Sequence, residues 1–445
     1  MSKRIINYSV LLLYFFVSLV FIYTLSRGDT FVNYGFSYAI SNGEIPYKDF
    51  NMVITPLAPF LYTVFIIFSK NILFYYFGQA ILLTILFHYL YKLLEKKSLL
   101  LLLILMIPYP ISMVSIIFPG YNFLIILLFV LFIYCLKNKN NYYLLGVILG
   151  LIFTTKQTIG LVLFLPSFYY LFKDYKKFIK LCIGYLIPCL LLLIYLLITN
   201  SIKEFINLCF LGLFEFGNNH SIDIYYLILF IIGIIYIIYK IIKNKNNLLY
   251  YYGLAFSVVV LPIIDYYHVC LFLFIVFYYF VDSISLKDRA YKYIIIFIMF
   301  MSLLWTYITY FEFNQLRIRN YNNFNYVVFS SNYFKRTDKL INYVNSTNYD
   351  VIYFMRGSEN YFHKIINNKK IDYFDLPNEG NYGYNGTHMM KEKIDNLHEV
   401  IFVIDKVLLY NKDINQQYLK ELGKYVVLTS KKIKSIGIYD IYYKE

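Results

Sequence analysis

The sequence predicts a polytopic α-helical membrane protein of about eleven transmembrane helices, followed by a small C-terminal α/β domain. Three observations predict it. The chain of 445 residues is 60% hydrophobic and only 15% charged, with mean hydropathy +0.58, more apolar surface than a water-soluble fold of that length can bury. Its apolar residues fall into runs approaching the ~20 that cross a bilayer, separated by short Lys-rich segments. From about Phe313 the composition turns charged and Asn-rich, and strand-like runs alternate with helical ones.

A net charge of +15 would suggest nucleic acid in a soluble protein. Here the cations lie in short loops between apolar runs, where they set topology, so no nucleic-acid partner is expected. The 52 Tyr and 42 Phe suit a lipid-facing chain, with Tyr at the interface. Five cysteines, Cys135, Cys182, Cys189, Cys209 and Cys270, stand singly in apolar runs without CxxC or His pairing. They read as small core side chains, neither disulfides nor metal ligands.

Taken in order, Lys3 and Arg4 keep the N-terminus cytoplasmic ahead of a first, retained span, Ile5 to Leu25. Ser26 to Asn71 is then external. Within it Pro56 to Phe68, roughly thirteen residues, is too short to cross and reads as a helix along the outer surface. Ile72 to Leu94 returns to the basic KLLEKK. Leu99 to Ile117 goes out, broken by Pro108 and Pro110. The spans Tyr121 to Leu136, Tyr142 to Thr155, Ile159 to Phe172 and Phe178 to Ile198 alternate. An external segment with its own surface helix, Asn200 to Asp223, follows. Ile224 to Ile242, Leu248 to Ile264, Val269 to Val281 and Tyr293 to Tyr310 complete the set. Every strongly basic short loop then falls on one side. The expected location is the cytoplasmic membrane, multi-pass, with the first polar segment and the C-terminus extracytoplasmic.

Two domains are expected, 1–312 in the membrane and 313–445 outside it. In the second, strands are expected at Asp350 to Met355, Val400 to Ile404 and Tyr425 to Leu428, and helices at Asp338 to Asn345 and Lys391 to Leu397. The Gly- and Asn-rich Leu376 to Gly386 reads as a loop.

The chemistry concentrates in Ser26 to Pro59, where Asp29, Glu44 and Asp49 stand in a chain that is otherwise mostly hydrocarbon. Carboxylates at the lip of a membrane domain are costly to keep unless they act on something. The bland alternative for Asp29 is a helix-capping or interfacial aspartate. Glu44 sits in a turn and reads as solvated. Tyr47, with Tyr34 and Pro46, shapes the segment and offers a stacking face. Two further polar breaks fall at external span ends: TTKQTIG, Thr154 to Gly160, and DYYH, Asp265 to His268. An outward lysine at Lys156 either snorkels or pairs with an anion such as a lipid phosphate, with Gln157 supporting it. His268 is suited to phosphate oxygens, with Asp265 orienting its ring. Arg27 is an interfacial anchor or a further phosphate ligand. No P-loop, GxGxxG, HExxH or nucleotide-sugar DxD motif is present.

The pattern GD-x4-Y-x8-G-x2-PY-x-DF-x5-PL, from Gly28 to Leu57, resembles the first external loop of GT-C membrane glycosyltransferases, which take a sugar from a polyprenyl-phosphate carrier. TKQ and DYYH resemble segments of bacterial members of that family, the protein-mannosyltransferase and aminoarabinose-transferase type. The resemblance implies Asp29 as the catalytic aspartate acting on the acceptor and Asp49 as the second acidic position. It implies Lys156, His268 and Arg27 at the donor phosphate, with Gln157, Asp265, Tyr47 and Glu44 in support. It implies an inverting transfer to an envelope glycan, lipid or protein, with membrane lipids as surroundings. A divalent cation, Mg or Mn, would have only Asp29 and Asp49 as ligands. Thr30 departs from the family, which often carries an acidic residue there. Competing expectations are an envelope polysaccharide polymerase or ligase, and a lipid-linked-sugar transporter or flippase. A proton-coupled transporter would bury its carboxylates mid-span rather than at the lip.

Overall fold

The computed structural model describes residues 3–25, 29–94, 120–139, 141–172, 174–216, 224–261, 263–283, 316–321, 324–355, 357–376, 380–410 and 417–445. The helical part comprises α1 (Lys3–Leu25), α2 (Asp29–Ser41), α3 (Leu57–Ile66), α4 (Ile72–Leu93), α5 (Gly120–Asn138), α6 (Tyr142–Thr155), α7 (Gln157–Leu171) and α8 (Tyr175–Ile198). It continues with α9 (Ile202–Ile206), a π-helical turn (Asn207–Leu211), α10 (Gly212–Phe216), α11 (Ile224–Lys243), α12 (Leu248–Phe256) with a 3-10 turn (Ser257–Val260), and α13 (Tyr266–Ser283).

Four of these, α4, α5, α8 and α11, are long and apolar enough to cross a membrane. Shorter apolar stretches lie in α1, α3, α6, α7, α12 and α13. The expected spans at Leu99 to Ile117 and Tyr293 to Tyr310 lie outside the described residues. The expected boundaries of α6 agree with the structure at both ends. Asn141, Asp174 and Asn247 supply the local reason why α6, α8 and α12 start where they do: each side chain accepts a backbone N–H of the first turn.

α6 and α8 cross at very short range. A β-carbon on Gly146 would stand 2.0 Å from the Leu181 carbonyl oxygen, and one on Gly150 would stand 2.5 Å from that of Tyr185. The sequence G-V-I-L-G is thus a small-xxx-small face that lets two backbones touch, the packing membrane helices use where lipid removes the hydrophobic drive.

The C-terminal unit begins with a hairpin of β1 (Leu316–Tyr321) and β2 (Phe324–Ser330), then α14 (Ser331–Asn345). It goes on through β3 (Asp350–Phe354), α15 (Gly357–Ile366), α16 (Gly386–Asp395), β4 (Val400–Asp405), α17 (Lys406–Tyr410), α18 (Gln417–Thr429), β5 (Lys431–Ile436) and β6 (Tyr439–Lys444). A four-stranded sheet runs in the order β3-β4-β6-β5, with β3 and β4 parallel and the other pairs antiparallel. Both faces of β3 and β4 are covered, which is why they read as unbroken apolar runs. Ile352 and Phe354 pack with Leu422 on one side, and Val351 and Tyr353 with Leu340 on the other.

One expected strand is a helix. Tyr425 to Leu428 belongs to α18, because Leu419, Leu422 and Val426, spaced three and four apart, form the buried face. The β-branched run suggested a strand, but helical spacing against the sheet prevails.

The C-terminal unit also joins the main core: Tyr361, Phe362, Ile365 and Leu376 are continuous with the buried side chains of the helical part.

Candidate functional site

The polar segment after α1 is a buried helix and a tight turn rather than an open loop. α2 opens on Asp29. Phe31, Tyr34, Phe36, Ser37, Tyr38 and Ala39 are all buried, so most of its circumference is covered. α3 covers one side. α15 covers another: Tyr361 meets Phe36 edge-on at 5.6 Å, and Phe362 meets Phe31 at 5.6 Å. α2 ends in a Schellman reversal. Gly43 takes φ +87°, its N–H reaches the Ile40 carbonyl, and the Glu44 N–H reaches that of Ala39.

The reversal delivers Glu44 into the seam between the polar segment and the C-terminal unit. It is 8% exposed, and neither carboxylate oxygen has a hydrogen-bond partner. The expectation of a solvated Glu44 is therefore corrected: a turn is exposed only if no other unit covers it, and here the C-terminal unit does. Burial pushes its carboxyl up to about 7, with Lys370 opposing and Asp49 reinforcing.

The next turn is locked by its own side chains. Asp49 Oδ2 accepts the Ile45 N–H at 2.7 Å, and the Asp49 N–H reaches the Ile45 carbonyl at 2.9 Å. Tyr47 sits at φ +70°, a position costing a bulky residue roughly 1–3 kcal/mol. It is held there by its N–H on the Phe50 carbonyl (2.9 Å) and its hydroxyl on the Ile54 carbonyl (2.7 Å). Its carbonyl accepts the Tyr373 hydroxyl from the C-terminal unit. The Tyr47 ring is fully buried against Phe205, at 5.2 Å, so it offers no stacking face to a ligand and its role is to shape the turn.

The α6–α7 break packs on this segment, and the Asp265–His268 break lies within electrostatic reach of it at Lys156. α6 stops at Lys156 and α7 starts at Gln157. Thr55 donates to the Phe153 carbonyl at 2.8 Å, satisfying one of the acceptors left by the break. Gln157 is buried and donates to the carbonyls of Val53 (3.1 Å) and Cys209. Its amide thus ties together the polar segment, the α6–α7 break and the π-helical turn. Lys156 is half-buried, its ammonium 5.8 Å from the Tyr121 ring centre. Burial pushes it down to about 8, and nearby Asp265 opposes this. Asp265 in turn accepts the His268 N–H at 2.9 Å and lies 2.7 Å from His268 Nδ1. The Asp265 carboxylate thus holds both the backbone and the ring of His268 across the first turn of α13. Gln157 therefore packs beside residues 53–55, and the Asp265–His268 pair lies within electrostatic reach of Lys156.

Arg27 lies outside the described residues, and of Asp29 only its place at the first residue of α2 is described. Among the described residues no three His, Cys, Asp or Glu side chains cluster as a metal would need. The five cysteines form no disulfide, and Cys209 Sγ contacts the Met52 carbonyl at 3.7 Å.

Sequence reasoning missed the residues on the far wall. Asp49 lines a cavity of about 540 Å³ together with Lys364, Lys369, Lys370, Asp372, Tyr373 and Lys393 of the C-terminal unit. Burial would lower the Lys364 ammonium, but Asp372 at 2.7 Å and Asp375 at 3.7 Å hold it above the ordinary lysine value. Burial pushes the Asp375 carboxyl up, with Asp372 adding to the effect and Lys364 opposing it. The available signal was the charge-dense stretch KIINNKKIDYFDL (Lys364 to Leu376), which composition alone leaves indistinguishable from a solvated surface.

Compared with known proteins, the chain matches no protein-family model and no curated protein sequence.

Proposed function

We propose that this chain is an inverting glycosyltransferase of the GT-C type, with about eleven spans, that moves a sugar from a polyprenyl-phosphate carrier to an envelope glycan, lipid or protein on the outer face of the cytoplasmic membrane. One observation carries the reading. Three polar breaks that are far apart in sequence are linked: residues 53–55 are hydrogen-bonded to the α6–α7 break through Gln157 and Thr55, and Asp265, paired with His268, is near enough to act on Lys156 electrostatically. An ammonium and an imidazole held by a carboxylate, at breaks among apolar helices, supply donors for a carrier phosphate.

In this reading a carboxylate of the first polar segment, Asp29 with Asp49 in support, takes the proton from the acceptor hydroxyl. That oxygen attacks the anomeric carbon from the face opposite the carrier, through an oxocarbenium-like transition state. The bond to the carrier oxygen breaks with its electron pair, leaving the carrier phosphate with one more negative charge. Lys156 and His268 offset that charge as it develops, and a protonated His268 donates to a phosphate oxygen. Gln157 holds Lys156 in place without touching the reacting atoms.

The test is mass spectrometry of polyprenyl-phosphate lipids from cells carrying Asp29→Asn at wild-type expression level. Accumulation of a carrier bearing a single hexose or pentose is the expected result and identifies the donor. An unchanged lipid profile with an unchanged envelope glycan would count against the enzyme reading and move weight to a transporter.

A further inference from the structure

The 540 Å³ cavity is lined by four lysines, Lys364, Lys369, Lys370 and Lys393, and three aspartates, Asp49, Asp350 and Asp372. Lys364 is committed to Asp372 and Asp375. Lys369, Lys370 and Lys393 line the same space and form no salt bridge among the described residues. Lys393 is pinned with its ammonium 3.7 Å from the centre of the Tyr373 ring. Burial pushes that ammonium below the ordinary lysine value, with Asp372 and Glu204 opposing. Such a group gains by meeting an anion inside the cavity. Asp49 and Asp350 line the cavity too, and Asp49 spends only Oδ2 on its turn. Ammonium donors for an anion beside carboxylate acceptors for hydroxyls suit a polyhydroxylated, negatively charged ring. The volume lies within the range of pockets that bury small ligands.

We propose that this cavity, between the Ile45–Asp49 turn and the C-terminal unit, binds an anionic saccharide, a sugar carrying a phosphate or a carboxylate. Calling that saccharide the acceptor rests on the glycosyl-transfer reading; binding of the anion does not. The C-terminal unit then selects the substrate by charge, and Asp49 lies where the bound sugar and the transfer segment adjoin.

The experiment uses the full-length protein in phosphatidylcholine nanodiscs and measures equilibrium binding of glucose 6-phosphate, glucuronic acid and glucose. Both anionic sugars are expected to bind at least about tenfold more tightly than glucose, an advantage that shrinks as salt rises. The double variant Lys369→Ala/Lys370→Ala, at a half-exposed and an exposed position, is expected to lose about fivefold or more in that affinity while its thermal unfolding stays the same. Lys156→Ala is expected to leave the affinity unchanged. Equal binding of glucose, or an undiminished affinity in the double variant, overturns the proposal. So does loss of binding in Lys156→Ala, which would put the anion at the donor niche. Displacement of glucose 6-phosphate by phosphatidylglycerol added to the nanodisc also overturns it, since the ligand would then be a lipid headgroup. An unchanged carrier-lipid profile in Asp29→Asn cells, set beside intact anion binding here, would remove the transfer reading alone.

Discussion

Glu44 shows at the residue scale how a short polar segment is tuned by what covers it. Its folded-state carboxyl is pushed up to about 7 against an ordinary 4.5, so the folded protein holds this proton more tightly than the unfolded chain does. Stability is therefore lost as pH rises from about 4.5 to about 7 and is level above that. Glu44→Gln keeps the shape and removes the titration. The variant is expected to be more stable than the wild type by about 1–2 kcal/mol at pH 8, and no more stable at pH 4.5. Thermal unfolding in detergent at the two pH values checks this. A gain that is equal at both would mean that the carboxylate is solvated in the seam. Asp49, five residues away, is exposed, and its Oδ2 accepts a backbone N–H, a donor that Glu44 lacks.

At the scale of elements, the α6–α8 crossing is the most demanding packing in the helical part. Backbone oxygens, not flexible side-chain ends, stand 2.0 Å and 2.5 Å from where β-carbons on Gly146 and Gly150 would be. The helices must therefore separate to admit a methyl group. Gly146→Ala is expected to destabilise the protein by about 1–3 kcal/mol. The loss should appear as a lower midpoint in a denaturing-detergent titration. An unchanged midpoint would mean that the two helices are further apart. The break following α6 carries Lys156 and Gln157, so this crossing also sets the position of the candidate phosphate niche.

At the scale of the whole molecule, a small set of polar contacts fastens the C-terminal unit onto the helical part. Asn51 donates to the Asn381 carbonyl at 2.9 Å, and Asn207 in the π-helical turn accepts the Tyr384 N–H at 2.9 Å. Glu215 accepts the Asn385 N–H at 2.7 Å. All three fall on the Gly- and Asn-rich segment after β3 and α15, where Gly383, at φ +80°, packs flat against Asn207. Replacing Asn51 and Asn207 together by alanine is expected to weaken this attachment by about 1–3 kcal/mol. Amide exchange in residues 380–386 should quicken while that of β4 stays slow. Equal protection in the variant and wild type would show that apolar contacts around Tyr361 and Phe362 hold the units together unaided.

How much of this was legible depends on the range of the interactions. The long apolar helices α4, α5, α8 and α11 and the strands β3 and β4 follow from local pattern, because hydropathy acts within a few residues. The polar segment and the two later breaks stood out for the same reason: a charge in an apolar run is visible without neighbours. The sequence also carried the Asp265–His268 pairing, since a spacing of three at a helix start brings the two side chains together. Tertiary structure alone decided the rest. Whether Tyr425 to Leu428 is strand or helix turned on which face met the sheet. Whether Glu44 meets water turned on a unit more than three hundred residues away in sequence. Gln157 became a tie between three segments, and Lys369, Lys370 and Lys393 became one wall, only because folding brought carbonyls and ammonium groups from separate elements within a few ångströms. Burial and charge act through space, and a linear chain does not record which of its distant parts will share that space.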